Sequence, residues 1–198
     1  MKEYKPYLMK DNSSKNGHAE TIMDYVLSWC LRCACYRYVK DEQPILYQYC
    51  KYMLCKLIEK EDNFEDILID DVQVWKQDDY IDLWVVVKLY VNKKIETHAI
   101  LIEDKYYTGA KDGQLQGYKT IFDEYYKGNN DIPETHRHYA LITCQYGDTE
   151  AFKALKEQCK QADEQFQCLN IYDLIDKSLK FKLSESDIFN EFFIRDWL

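Results

Sequence analysis

The chain has 198 residues, 46% of them hydrophobic and 31% charged, with eight cysteines and a formal net charge of −9. A chain of this length and composition can bury a full core and is not disordered by composition, and no apolar run approaches the roughly 18 residues that a membrane-spanning helix needs. The acidic balance argues against a protein that grips nucleic acid through a broadly basic surface.

The first segment, Met1-Lys2-Glu3-Tyr4-Lys5-Pro6, carries charges where a signal peptide would need an apolar stretch. Cysteines in a chain of this size do not read as a secreted disulfide framework, so reduced thiols and a cytoplasmic setting are expected. From about Ala19 to Val39 apolar residues recur at helical spacing, and a second helix is predicted from about Pro44 to Glu59. Asp71-Val72-Gln73-Val74-Trp75 reads as a first strand, which turns through Lys76–Asp79 into a second beginning near Ile81. Thr108–Gly113 is a predicted turn, with Asp112 as the cap of a helix running to about Lys127. His138–Thr143 reads as a fourth strand, followed by a helix from Asp148-Thr149-Glu150 to about Gln161 and an edge strand at Leu169–Tyr172. Leu174–Lys180 and Asp187–Trp197 read as helical.

Strand–helix alternation after an antiparallel hairpin predicts an α/β fold, with a mixed central sheet of about four or five strands flanked by helices. One domain over residues 1–198 is expected, with N-terminal helices at about 18–60, a core at about 70–145 and C-terminal helices at about 149–198.

The chemistry concentrates in Ile81-Asp82-Leu83-Trp84-Val85-Val86-Val87 and Ile100-Leu101-Ile102-Glu103-Asp104-Lys105. Strand residues alternate faces, so Glu103 and Lys105 share one side while Asp104 points the other way. If Asn92-Lys93 form a two-residue hairpin tip, opposed residues have numbers summing to 185, and Asp82 stands across from Glu103. Directly opposed Cβ atoms are about 4.5–5.5 Å apart, and two carboxylates that close repel unless a cation lies between them or one is protonated. A divalent ion is the economical expectation.

Asp82 followed about twenty residues later by Glu103-Asp104-Lys105 resembles the core motif of the PD-(D/E)XK nuclease superfamily. Gln114-Leu115-Gln116-Gly117-Tyr118 resembles the Gln-x-x-x-Tyr helix motif of its exonuclease-like and RecB-like branches, with Gln114 and Tyr118 on one helical face. The resemblance covers residues 18 to 145, with Ile81 standing where the pattern has proline. It implies a restriction-endonuclease-like core and a Mg²⁺- or Mn²⁺-dependent hydrolase of DNA phosphodiester bonds, acting in defence, repair or recombination. The alternative is a catalytically inactive nuclease-fold protein that binds nucleic acid or a protein.

On this reading Asp82, Glu103 and the backbone carbonyl of Asp104 hold the metal, since Mg²⁺ prefers oxygen ligands. Lys105 orients or deprotonates the attacking water and stabilises the phosphoryl oxygens. Gln114 and Tyr118 hold the water network or the substrate strand, and Glu20, on the first helix, reaches the metal through water. Lysines 105, 111, 119 and 127 follow the motif and can line one side of a groove, but Asp112, Asp123 and Glu124 are mixed in, and four arginines promise little base reading. The partner is nucleic acid, DNA by resemblance, with a protein partner or homo-oligomer left open. Some relatives in the superfamily carry an iron–sulfur cluster, but Cys30, Cys33 and Cys35 fall in a predicted helix, with Cys50 and Cys55 further on, and are read as core thiols. His136 and His138 share a strand face, yet no adjacent Cys or acid completes a ligand set in the sequence, and the histidines are read as structural or solvent-facing.

Overall fold

A computed structural model describes residues 19–78 and 81–194. Its centre is a five-stranded mixed sheet built from β1 (Leu68–Asp78), β2 (Ile81–Val91), β3 (Lys94–Lys105), β4 (Arg137–Thr143) and β5 (Phe166–Asn170), in that spatial order. The pairs β1–β2 and β2–β3 are antiparallel, and β3–β4 and β4–β5 are parallel. The fold is α/β, with helices flanking the sheet and a helical segment before it.

The β2–β3 hairpin sets everything that follows. Val91 pairs with Lys94 and Leu83 with Ile102, the predicted register, and Asn92 and Lys93 both have positive φ (51° and 66°), the signature of the mirror-image turn that matches strand twist. A side chain at Lys93 disfavours that conformation by about 1 kcal/mol, part of which glycine returns as chain entropy. Lys93→Gly is therefore expected to raise Tm by roughly 1–2 °C in a thermal scan; a fall would show that the turn is held by contacts of the lysine itself.

Both sheet faces are apolar, because a strand covered on two sides cannot afford polar alternation. Leu83, Val85, Val87 and Leu89 of β2, with Ile100, Ile102, Ala140 and Ile142, pack under α1 (Ala19–Cys33) and α3 (Pro44–Leu57). The intervening residues Trp84, Ala99, Leu101, Tyr139 and Leu141 pack under α4 (Gln114–Tyr125) and α5 (Glu150–Ala162).

Several boundaries differ from expectation. The first helix stops at Cys33 instead of reaching Val39: Cys35 Sγ donates to the Arg32 carbonyl, Tyr36 is extended, and the chain restarts as α2 (Arg37–Glu42). No glycine or proline marks that break. Asp112 is not the cap of α4; Gly113 is, with φ 73°, a conformation that costs glycine little. The α5 start is as expected, with the Thr149 hydroxyl accepting from the Phe152 amide. The edge strand begins earlier than predicted, at Phe166, and the segment read as helical at 174–180 holds only the end of a 3-10 turn at Ile171–Leu174 and another at Lys177–Leu179. The last helix starts at Asp187 as α6 (Asp187–Phe189) and widens to a π-helix at Asn190–Ile194; Arg195 and Trp197 lie outside the described residues, as does His18.

Cys30, Cys33, Cys50 and Cys55 are buried in the core around α1 and α3. Burial pushes the Cys50 thiol well up and the Cys55 thiol up to about 12, the behaviour of packed thiols. Cys35 lies just beyond α1, partly exposed, away from the face that Cys30 and Cys33 share.

Candidate metal centre

The carboxyl end of β3 is where the charged residues gather. Alternation along the strand sends Glu103 toward α4 and Asp104 toward α1, and both side chains are 1% exposed. Asp82, one step beyond the Leu83–Ile102 pair, lies level with Glu103 at the end of the β2–β3 ladder, and its Oδ2 accepts from the Asp104 amide at 3.0 Å. It thereby serves both sides of the sheet.

On the α4 side, Lys105 Nζ stands 2.6 Å from Glu103 Oε1, and Gln114 Nε2 donates to the same oxygen at 2.7 Å. Gln114 also donates to the Tyr118 hydroxyl at 3.0 Å, and its own carbonyl oxygen accepts from the Lys111 amide. The two motif elements, strand and helix, are thus joined through one carboxylate. Glu103 Oε2 is buried with no hydrogen-bond partner. Burial and the neighbouring Asp82 push the Glu103 carboxyl well above its ordinary range, against the pull of Lys105. Burial opposes the charge on Lys105, but Glu103, Asp82 and Glu20 outweigh it and hold the ammonium above its usual value. These neighbours favour the charged form of Lys105.

On the α1 side stands a residue that the sequence reading missed. Asp24 is one turn beyond Glu20 on α1, is 2% exposed, and brings a carboxyl oxygen within 4.8 Å of those of Asp82 and Asp104. Asp24 Oδ1 and Asp104 Oδ2 are both buried without a hydrogen-bond partner. Burial, then Asp82, lifts the Asp24 carboxyl to about 6; burial, then Asp24 and Asp82, lifts that of Asp104 to about 10. Buried carboxyl groups this close repel when ionised, and carboxyl oxygens from three chain segments, two of them orphaned, suit a hard divalent ion.

The arrangement differs from the expected ligand set. Asp104 contributes its carboxyl group, where the sequence reading gave it a role only through its backbone carbonyl, and Glu103 has one oxygen already taken by Lys105 and Gln114. Asp24 followed from no motif; its only signal is an acid on the buried stripe of an amphipathic helix, four residues after Glu20. Glu20 itself accepts from the Tyr106 amide at 3.3 Å and the Thr108 hydroxyl at 2.8 Å, which docks α1 onto the segment after β3 beside the carboxylates.

The acids mixed among the lysines that follow the motif pair with two of them. Lys119 is paired with Asp123 (2.7 Å) and faces Asp163 (3.5 Å), and Lys127 is paired with Glu124 (2.9 Å), because acids interleaved on α4 sit at i+4 and i−3. Arg137 is likewise structural, donating to the backbone carbonyls of Ile132, Asp123 and Tyr126.

No helix among the described residues is long and apolar enough to cross a membrane. Comparison of the chain with protein-family models, curated proteins and solved structures returns no match.

Proposed function

We propose that the protein is a divalent-metal-dependent phosphodiesterase acting on DNA, in keeping with the resemblance of Asp82, Glu103-Asp104-Lys105 and Gln114/Tyr118 to the PD-(D/E)XK nucleases. The observation that carries this reading is the convergence of Asp24, Asp82 and Asp104, two of them with orphaned buried oxygens, beside a Lys105 held on Glu103. Mg²⁺ or Mn²⁺ would be held by those three carboxylates. When bound, the cation supplies Lewis acidity for activating water and offsets charge on the phosphoryl group.

The chain's own residues do the rest. Lys105 presents a compact positive charge at the end of β3, where it can neutralise a phosphoryl oxygen as charge builds. Gln114 fixes Glu103 and through it the position of Lys105. The Tyr118 hydroxyl accepts from Gln114, so its own proton is directed elsewhere and is available to a water or a substrate oxygen. With Lys119 paired to Asp123 and mostly buried, further phosphate contacts fall to Lys111, Lys127 and basic surface from a protein partner or a second copy.

The test is cleavage of linear, circular and single-stranded DNA with Mg²⁺ or Mn²⁺, comparing wild type with Glu103→Ala and Lys105→Ala. Cleavage by wild type is expected, with a loss of about 100-fold or more in both variants while circular dichroism shows an intact fold. Absence of both cleavage and Mn²⁺ binding in the folded wild type would overturn the reading. Mn²⁺ binding without cleavage of any substrate would favour the non-catalytic module instead, which the pairing of the α4 lysines also supports.

A further inference from the structure

The far end of the same sheet gathers a second set of ligand-type side chains. Glu96 and His98 point to one face near the start of β3, and the parallel pairing of Ala99 with Arg137 brings His138 of β4, and His136 at the end of the 3-10 turn just before it, beside His98. A carboxylate oxygen of Glu96 and ring nitrogens of His98 and His136 lie within 4.8 Å of one another. The sequence reading found no acid to complete the His-x-His pair because the acid comes from the adjacent strand, 40 residues earlier in the chain.

We propose that Glu96, His98 and His136 form a transition-metal site of the Zn²⁺ class, separate from the carboxylate centre and tying the start of β3 to that of β4. The donors suit it: two imidazoles and one carboxylate are a borderline set that prefers Zn²⁺ or Co²⁺ to Mg²⁺. The hydrogen bonds around the rings supply an independent argument. His136 Nδ1 is 3.1 Å from the Thr97 carbonyl, which can only accept, so Nδ1 carries the proton and Nε2 keeps its lone pair for a cation. His98 Nδ1 is 2.9 Å from His138 Nε2, and His98 Nε2, now 3.1 Å from Glu96 Oε2, is the atom a metal would take once the proton it directs at Glu96 leaves and Nδ1 becomes the donor to His138. His138 is then the outer partner that orients His98.

Two features of the metal-free arrangement must yield. The His98 and His136 rings are stacked, with centroids 4.2 Å apart and planes 19° from parallel, so their lone pairs converge on an ion only after a rotation about χ2. Lys60 Nζ is 3.2 Å from the same Glu96 oxygen and competes with an incoming cation.

The experiment is titration of the metal-free full chain with Co²⁺ in excess Mg²⁺, followed by displacement with Zn²⁺. One equivalent of Co²⁺ with visible ligand-field bands is expected, retained in Asp82→Asn, displaced by Zn²⁺, and weakened at least tenfold in His136→Gln and Glu96→Gln. Lys60→Met should tighten it. Saturating Zn²⁺ should also raise Tm by about 5 °C in wild type and not in His136→Gln. Absence of the bands, equal binding by the His136 and Glu96 variants, or near-ultraviolet thiolate charge transfer marking a cysteine site would each overturn the proposal. Retention in Asp82→Asn separates this outcome from any failure of the carboxylate centre.

Discussion

Asp82→Asn is expected to abolish Mn²⁺ binding at the carboxylate centre and to lower DNA cleavage by about 10³-fold, close to 4 kcal/mol of transition-state stabilisation. Asp82 stands in the electrostatic surroundings of Asp24, Glu103, Asp104 and Lys105 alike, so it is the hub through which the two faces of the sheet meet. Its Oδ2 is pinned by the Asp104 amide, and an asparagine oxygen can take over that hydrogen bond with little movement of the strand ends. The substitution therefore removes a charge while leaving the hairpin register intact. Isothermal titration with Mn²⁺ and a cleavage time course on the same preparation check it. Unchanged Mn²⁺ affinity would mean that Asp24 and Asp104 hold the ion alone; lost affinity with full cleavage would detach the chemistry from this centre altogether.

Much of the fold was legible because the strands are apolar on both faces and the hairpin tip is short. The face assignments followed from one assumption, a two-residue turn at Asn92-Lys93, and the pairing of Leu83 with Ile102 matches it. Helix spacing placed Gln114 and Tyr118 on one face, as their hydrogen bond reflects, but the bond from Gln114 to Glu103 was not legible, because it depends on how α4 packs on the sheet. What escaped was set by distance along the chain rather than by local pattern. Asp24 approaches Asp104 only because α1 packs over the sheet face opposite α4, and nothing in the spacing of residues 24 and 104 announces it. Glu96 and His136 meet only through the parallel β3–β4 register, which depends on a crossover containing α4. The break after Cys33 escaped because it rests on capping by Cys35 in place of a glycine or proline. The acids mixed among the lysines were legible in sequence, and two of them, Asp123 and Glu124, pair with Lys119 and Lys127 one helical turn away.

Asp104→Asn is expected to make the metal-free protein more stable while making it unresponsive to Mn²⁺. Burial and the charges of Asp24 and Asp82 raise the folded-state pKa of Asp104 to about 10, far above the roughly 3.9 of an unfolded aspartate, and that of Asp24 to about 6. Between those limits the folded chain binds more protons than the unfolded one, so stability falls as pH rises from about 4. The Asp24 contribution to that fall ends near pH 6 and the Asp104 contribution continues toward 10. Asparagine removes the ionisable group and brings an amide that can donate to the nearby carboxyl oxygens of the cluster. The expected gain is about 1–2 kcal/mol at pH 8 in EDTA, or roughly 3–6 °C in Tm, shrinking toward pH 5 where the wild-type carboxyl is protonated at little cost. Mn²⁺ should reverse the order, because a cation that binds the ionised cluster expels its protons and stabilises wild type more strongly as pH rises, with no such effect on the variant. Thermal scans of both proteins at pH 5 and pH 8, with EDTA and with Mn²⁺, measure all of this together. Equal Tm values and equal pH slopes for the two proteins in EDTA would show that Asp104 is ionised and satisfied in the metal-free fold, and the carboxylate cluster would then lose its claim to be a cation site.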